Sequence, residues 1–351
     1  MPSRVATQVV ASLFVVALLL AAMVLPVPYV SRAPGPVYNT LGTIAGSPVI
    51  TISGAATYPT TGRLDLTTVS ESGGPGRRQL SLLQAIQGWL SSSVAVILQP
   101  LVYPPGTSGQ EVQQQGTLEM QDSQDTAEIV ALRAAGIPVT PTVVVDTVEA
   151  GGPSDGKLKE GDVFVSVNGT PVSGDDDLRA DIAKVQPGDV VHLVVKRGGR
   201  EVAVDVTTVP STDDPTHPMI GVSLRLGYES PATVNIKLGS VVGPSAGLMF
   251  TLGIYDKLTP GELTGGLHLA GTGTIAADGS VGPIGGIQQK MRAARDAGAT
   301  AFFVPAQNCS EALPAKPSGL RLVKVSTFDQ ALTAVRALAS GNPTTSSVPG
   351  C

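Results

Sequence analysis

Residues Val5 to Val30 carry no charged side chain, and within them Val9 to Leu25 is almost wholly apolar. Few folds accommodate such a run. About 20 apolar residues in a helix span the hydrocarbon core of a bilayer, and a helix apolar on all sides has no polar face to turn to water. Residues 5–30 are therefore read as a membrane anchor, with 1–32 forming a cytoplasmic stub and the span. A secretory signal peptide is the competing reading. Its apolar core is normally shorter, and the best small-x-small site, Ser31-Arg32-Ala33, is followed by Pro34, which disfavours cleavage. Arg4 and the free amine precede the run and only Arg32 follows it closely, a bias toward a cytoplasmic N-terminus. A single-pass cell-membrane protein with an extracytoplasmic body is expected, secretion after cleavage being the alternative.

The body must then be built from what remains of 351 residues, enough for two or three domains. With a net charge of −5 and 15% charged residues it has no basic face for nucleic acid. Cys309 and Cys351 could form one disulfide in an oxidising exterior or remain two free thiols. No cysteine or histidine spacing suits zinc or an iron–sulfur cluster, so neither metal nor cofactor is expected.

The chemistry-bearing feature is Gly243-Pro244-Ser245-Ala246-Gly247, followed 45 positions later (290 − 245) by Lys290. Gly243, Ser245 and Gly247 satisfy the G-x-S-x-G elbow of serine hydrolases, which would need a histidine. Only His192, His217 and His268 exist. A hydrolase order would have to use His268 with Asp256 or Glu262, and a chymotrypsin-like order His192 and Asp205, although His192 sits in a strand-like run. Lysine can act as the base only if its amine is neutral near pH 7. That requires lowering its pKa by about three units, on the order of 4 kcal/mol. Burial is the main way to do so. From Ile287 to Gly298 the sequence has helical character, and Ile287, Lys290, Met291, Ala294 and Ala297 share one face, with Gln288, Gln289, Arg292, Arg295 and Asp296 off it. Lys290 is thus the one ionisable group on an apolar stripe. Two bland readings compete: a stripe-edge lysine that snorkels to water, and a Ser245 that merely caps the apolar helix after it. The glycines would let a substrate backbone approach, and amides near Gly243 and Ser245 would hold an oxyanion.

These residues, with Thr272-Gly273 and Pro283-Ile284-Gly285-Gly286-Ile287-Gln288-Gln289-Lys290, resemble the proteolytic domain of Lon proteases over roughly Met219 to Leu338. The resemblance implies an α/β domain at 215–340 in which Ser245 is the nucleophile, Lys290 the base and Thr272 the residue that orients the lysine. Two acids usual in that family are replaced, by Val242 and Thr274. Rings are common among such domains, which implies a homo-oligomer. No P-loop is found: Gly151-x-x-x-x-Gly156-Lys157 is followed by Leu158, where a Ser or Thr is required, so no ATP-driven step is expected.

The segment Val143 to Val172, with its hairpin turn Asn168-Gly169, resembles a PDZ domain of the bacterial protease type, placed at 131–210. It reads as a β-rich unit with a helix at Asp176 to Val185 and strands at Val190 to Lys196 and Val202 to Thr207. The resemblance implies docking of protein or peptide substrates by strand addition, with the carboxylate loop near Ile137-Pro138-Val139-Thr140-Pro141. Residues 33–130 read as short strands between Tyr38 and Thr68, a helix at Leu80 to Leu90 and another at Gln121 to Ala135, forming an extracytoplasmic region without a readable role. A polar tail occupies 341–351. The expected architecture is α+β and multidomain, and the expected activity is that of an ATP-independent, membrane-anchored serine endopeptidase. A catalytically silent PDZ scaffold is the alternative.

Overall fold

The computed structural model describes residues 2–341, 344 and 346–351; residue 1 of the expected stub and residues 342, 343 and 345 of the expected tail lie outside the described residues. The chain condenses into two compact units, one joining Met1–Gly136 to Ala232–Cys351 and the other formed by Ile137–Pro231. The larger unit begins with α1 (Pro2–Val24), β1 (Tyr29–Asn39), β2 (Ile50–Ser53), β3 (Arg63–Ser72), α2 (Leu82–Leu90), β4 (Ala95–Leu98) and α3 (Gly109–Ala134). The smaller unit follows with β5 (Thr140–Val148), β6 (Val163–Val167), α4 (Asp175–Ile182), β7 (Val190–Arg197), β8 (Arg200–Thr207) and β9 (Val222–Glu229). The chain returns to the larger unit through β10 (Thr233–Ile236), α5 (Gly247–Leu258), β11 (His268–Gly271), α6 (Ile287–Asp296), β12 (Ala301–Pro305), α7 (Cys309–Ala312), β13 (Arg321–Val325) and α8 (Phe328–Ala339).

Residues 33–130 are not a separate region. The main sheet of the larger unit runs β13-β12-β11-β3-β1-β4. Its parallel half is β11, β12 and β13, and β12 is buried along its whole length, as strands covered on both faces are. β3 joins β11 in parallel register, Arg63↔His268 to Leu66↔Gly271, and β1 and β4 complete the sheet antiparallel. β2 pairs with β10 in a second small ladder. Half of the sheet that carries β11 therefore comes from the stretch without a readable role. α3 also extends further than expected, because Ser108 and Glu111 form a capping box that starts it at Gly109. Ser81 and Gln84 do the same for α2. α6 packs against β1, β3, β11 and β12, while α5 packs against α3, β3 and β11. Cys309 and Cys351 are joined in a disulfide that ties the tail to α7.

The smaller unit is an antiparallel sheet in the order β8-β7-β6-β5-β9 around a core that includes Val145, Phe164, Leu178, Val191 and Val206. Asn168 and Gly169 have φ of 48° and 82°, as a tight hairpin turn requires. The unit runs past the expected end at 210 because β9 pairs with β5 from Val222↔Val148 to Glu229↔Thr140. Met219, where the Lon-like stretch was expected to begin, belongs to this unit.

α1 contains a 21-residue apolar stretch, Arg4–Val24, long enough to cross a membrane; a signal sequence near an N-terminus meets the same criterion.

Candidate active site

Ser245 and Lys290 are brought together. The serine lies immediately before α5 and the lysine in the first turns of α6, and Lys290 Nζ is 2.8 Å from Ser245 Oγ. Thr272, just beyond the carboxyl end of β11, places Oγ1 3.2 Å from the same amine. Its hydroxyl proton is directed to the Ser245 carbonyl, 2.9 Å away, so Thr272 Oγ1 accepts from Lys290. The Gly273 amide donates to the same carbonyl at 2.9 Å, which fixes the Ser245 peptide. A neutral amine that donates to Thr272 can direct its lone pair at Ser245 Oγ.

Lys290 does not snorkel: it is 3% exposed. Burial pushes its amine from an ordinary 10.5 down to about 7, and the nearby Arg32 guanidinium adds to the effect. Val242, where the Lon-like pattern implies an acid, lines the cleft as an apolar side chain. It offers no negative charge to restore the ammonium. The helical stripe is nearly as expected, with two differences: Gln289 is buried and Ala297 is exposed. α6 lies across four strands, which covers more of its circumference than a single stripe.

Ser245 is not the helix cap. Ala246 takes that position, and no side chain caps α5, so Ser245 Oγ is free to meet the lysine. The serine loop is instead held from α3: the Gly243 amide donates to the Gly116 carbonyl at 2.8 Å, and Ser123 Oγ donates to the Pro244 carbonyl at 3.0 Å. The Gly243 amide is therefore already engaged and cannot serve an oxyanion; Ser245 and Ala246, which line the cleft, lie at the positive end of α5. Gly243 adopts φ of 92°, a left-handed conformation that a side chain would strain. Gly247 is a packing residue rather than an approach path, since a Cβ there would lie 2.7 Å from Ile275 Cγ2 and 2.9 Å from Ser123 Oγ.

A cleft of about 770 Å³ opens in front of the pair, lined by residues of β1, β3, α3 and the 240–246 loop. On its wall Arg32 Nε donates to Glu71 Oε2 at 3.0 Å, and the Tyr103 hydroxyl also donates to Glu71. Burial and the neighbouring Glu71 push Tyr103 up to about 12, which keeps it a donor. Arg77 donates to the Glu71 carbonyl at 2.7 Å. Glu71 thus holds the cation that helps keep Lys290 neutral. Arg32, named in the sequence only as a cation flanking the apolar run, and Glu71, Tyr103, Gly116 and Ser123, not named there, lie outside the stretch that resembles Lon.

The two histidines that could have formed a triad are engaged elsewhere. His268 Nε2 is 2.6 Å from buried Asp65, and His192 Nδ1 is 2.7 Å from Asp205 on the exposed face of the smaller unit. Asp256 is buried, accepts from the Leu263 amide, and is pushed up to about 6 by burial. Neither histidine-based triad is assembled around Ser245.

With this geometry in view, the comparisons with known proteins agree on two domains. Residues 234–337 match the family described as Lon protease (S16) C-terminal proteolytic domain, and residues 117–208 match the PDZ domain family. The chain carries a Lon-type serine-protease domain and a PDZ domain. Lon protease 2 of Bacillus subtilis is 35% identical over 92 residues, covering 26% of this chain and 16% of the relative. The Lon protease of Phenylobacterium zucineum is 31% identical over 141 residues, 40% of this chain and 17% of the relative. The periplasmic pH-dependent serine endoprotease DegQ of Escherichia coli is 30% identical over 105 residues, 28% of this chain and 23% of the relative. The chain spans less than a quarter of the length of each of these three proteins. The Lon-type match begins within β10, whereas the compact unit around it also takes in β1, β3 and α3, so the PDZ-type unit interrupts it in sequence.

In the PDZ-type unit a groove of about 510 Å³ runs between α4 and the start of the edge strand β9, lined by Leu178, Ile182 and the 217–224 segment. The expected carboxylate loop, residues 137–141, does not line this groove. Thr140 and Pro141 belong to β5, where they pair with Glu229 and Tyr228 of β9. The loop at the groove is Pro218-Met219-Ile220-Gly221, with Gly221 at φ of 68°.

Proposed function

We propose that the protein is an ATP-independent, membrane-anchored serine endopeptidase that cleaves peptide bonds of extracytoplasmic proteins with Ser245 and Lys290. The observation that carries this reading is the buried Lys290 amine, lowered by burial to about 7, set 2.8 Å from Ser245 Oγ. Lys290 takes the Ser245 proton as the oxygen attacks the peptide carbonyl. The resulting oxyanion is held by the Ser245 and Ala246 amides. The ammonium then gives its proton to the departing amine, which leaves an acyl-enzyme and a neutral lysine able to activate the water that releases the product. Thr272 orients the amine throughout. A silent scaffold has no use for a buried amine kept neutral against a serine.

α1 supplies the anchor, and the relative named as periplasmic is consistent with an extracytoplasmic body. No Walker-type phosphate loop occurs in the sequence, which supports chemistry without nucleotide. The groove between α4 and β9 presents an unpaired strand edge beside apolar side chains, a setting that docks extended peptides by strand addition. The test is cleavage of an unfolded protein by Ser245→Ala and Lys290→Ala variants whose circular dichroism is unchanged. Loss in both is expected; cleavage retained in either removes the dyad.

A further inference from the structure

α2 is buried on the wrong side for a helix of a water-soluble body. Its inward face is Ala85 and Gly88, and a Cβ on Gly88 would come within 2.4 Å of Val96 Cγ2 on β4. Its large apolar residues, Leu83, Ile86, Trp89 and Leu90, lie at helical spacing on the outer face, with Trp89 52% and Leu90 83% exposed. Leu98, the last residue of β4, and Leu101 beyond it extend the patch, and Leu101 is 77% exposed. α2 carries no charged residue.

The patch is joined to the end of α1. The Leu82 amide donates to the Leu25 carbonyl at 3.0 Å, and Pro26 and Val27 pair with Ser81 and Leu80. On the other side the Gln99 amide donates to the Pro28 carbonyl at 2.9 Å. Trp89 stacks edge-on against Tyr29, ring centroids 5.2 Å apart. Tryptophan and tyrosine favour the headgroup level of a bilayer, and an uncharged helix with a large apolar face lies in that plane.

We propose that α2 and the Leu98–Leu101 corner rest in the headgroup–acyl boundary of the bilayer that α1 crosses, as an interfacial foot beside the span. The inference depends on the membrane-anchored reading. It is favoured over a contact between copies because the patch begins where the span ends and is fastened to it on both sides. The foot fixes the distance of the catalytic cleft from lipid, since the seven steps from Leu25 to Arg32 cannot extend more than about 25 Å.

Trp89 is the sole tryptophan in the chain, so its emission reports α2 alone. The full chain is reconstituted into phosphatidylcholine–phosphatidylglycerol vesicles, with and without lipids brominated high on the acyl chain. The expected result is loss of most Trp89 emission with brominated lipid and little quenching by aqueous iodide. Strong iodide quenching without bromolipid quenching, in vesicles that float with the protein, overturns the foot and leaves the anchor standing. Shielding from both quenchers, with a cross-linked dimer through a cysteine placed at Leu90, assigns the patch to a second copy and also overturns it. Failure of the chain to float with the vesicles removes the anchor and the foot together.

Discussion

Replacing Lys290 with methionine should make the protein more stable at neutral pH while destroying the catalytic pair. The wild-type amine is held at about 7 in the folded state against an ordinary 10.5, and at 3% exposure little solvent screens it. The difference of 3.5 units (10.5 − 7) corresponds to roughly 4 kcal/mol by which folding is opposed at pH 7, because the unfolded chain is then fully protonated and the folded amine only half so. Methionine is unbranched, similar in size and uncharged, so it removes that cost. It also removes the contacts to Ser245 and Thr272, worth about 1 kcal/mol each. A net gain of about 2 kcal/mol is expected at pH 7. The sign depends on pH in a defined way. Between about pH 7 and 10.5 the unfolded wild type is the more protonated state, so wild-type stability rises with pH and the advantage of the variant shrinks. Near pH 11 the variant should be the less stable of the two by its lost hydrogen bonds. Urea unfolding in detergent micelles, followed by the emission of Trp89, reads this directly because Trp89 and Lys290 share one compact unit. A variant less stable at pH 7, or a difference that does not change with pH, would refute the reasoning.

The same amine sets the pH dependence of activity. kcat/KM should fall as pH drops below about 7, because the base is then protonated, and Arg32→Gln should move that limb to higher pH by removing the cation that disfavours the ammonium. Thr272→Val, which keeps the shape and deletes the hydroxyl, should lower kcat about tenfold with KM little changed, the effect of one hydrogen bond on the reacting amine. Cys351→Ser opens a link across 42 positions and should lower stability by about 2–4 kcal/mol, measured as a shift in the urea midpoint.

The pair itself was legible because both halves leave local marks: a serine between glycines before an apolar helix, and one ionisable residue on an apolar stripe. The strands of the PDZ-type unit were legible for the same reason, through alternation and the Asn168-Gly169 turn. What could not be read was partnership over distance. β3 pairs in parallel with β11 across some two hundred residues and an intervening compact unit, and nothing in Arg63 to Ser72 announces that neighbour. The carboxylate loop was expected ahead of the first strand of the smaller unit, whereas the groove lies beside its last strand, β9. The start of α3 was available in the Ser108-x-x-Glu111 spacing. Arg32 had no such signal: it follows an apolar run like any flanking cation, and only the fold carries it to the wall beside Lys290.

The most direct measurement is reaction of the reconstituted protein with a fluorophosphonate probe, with the modified residue located by peptide mapping. The account predicts a single adduct on Ser245, formed at a rate that rises with pH through about 7 and nearly vanishes in Lys290→Met. An adduct on another residue, or labelling of Ser245 that is unchanged in Lys290→Met, would contradict a nucleophile activated by a buried lysine.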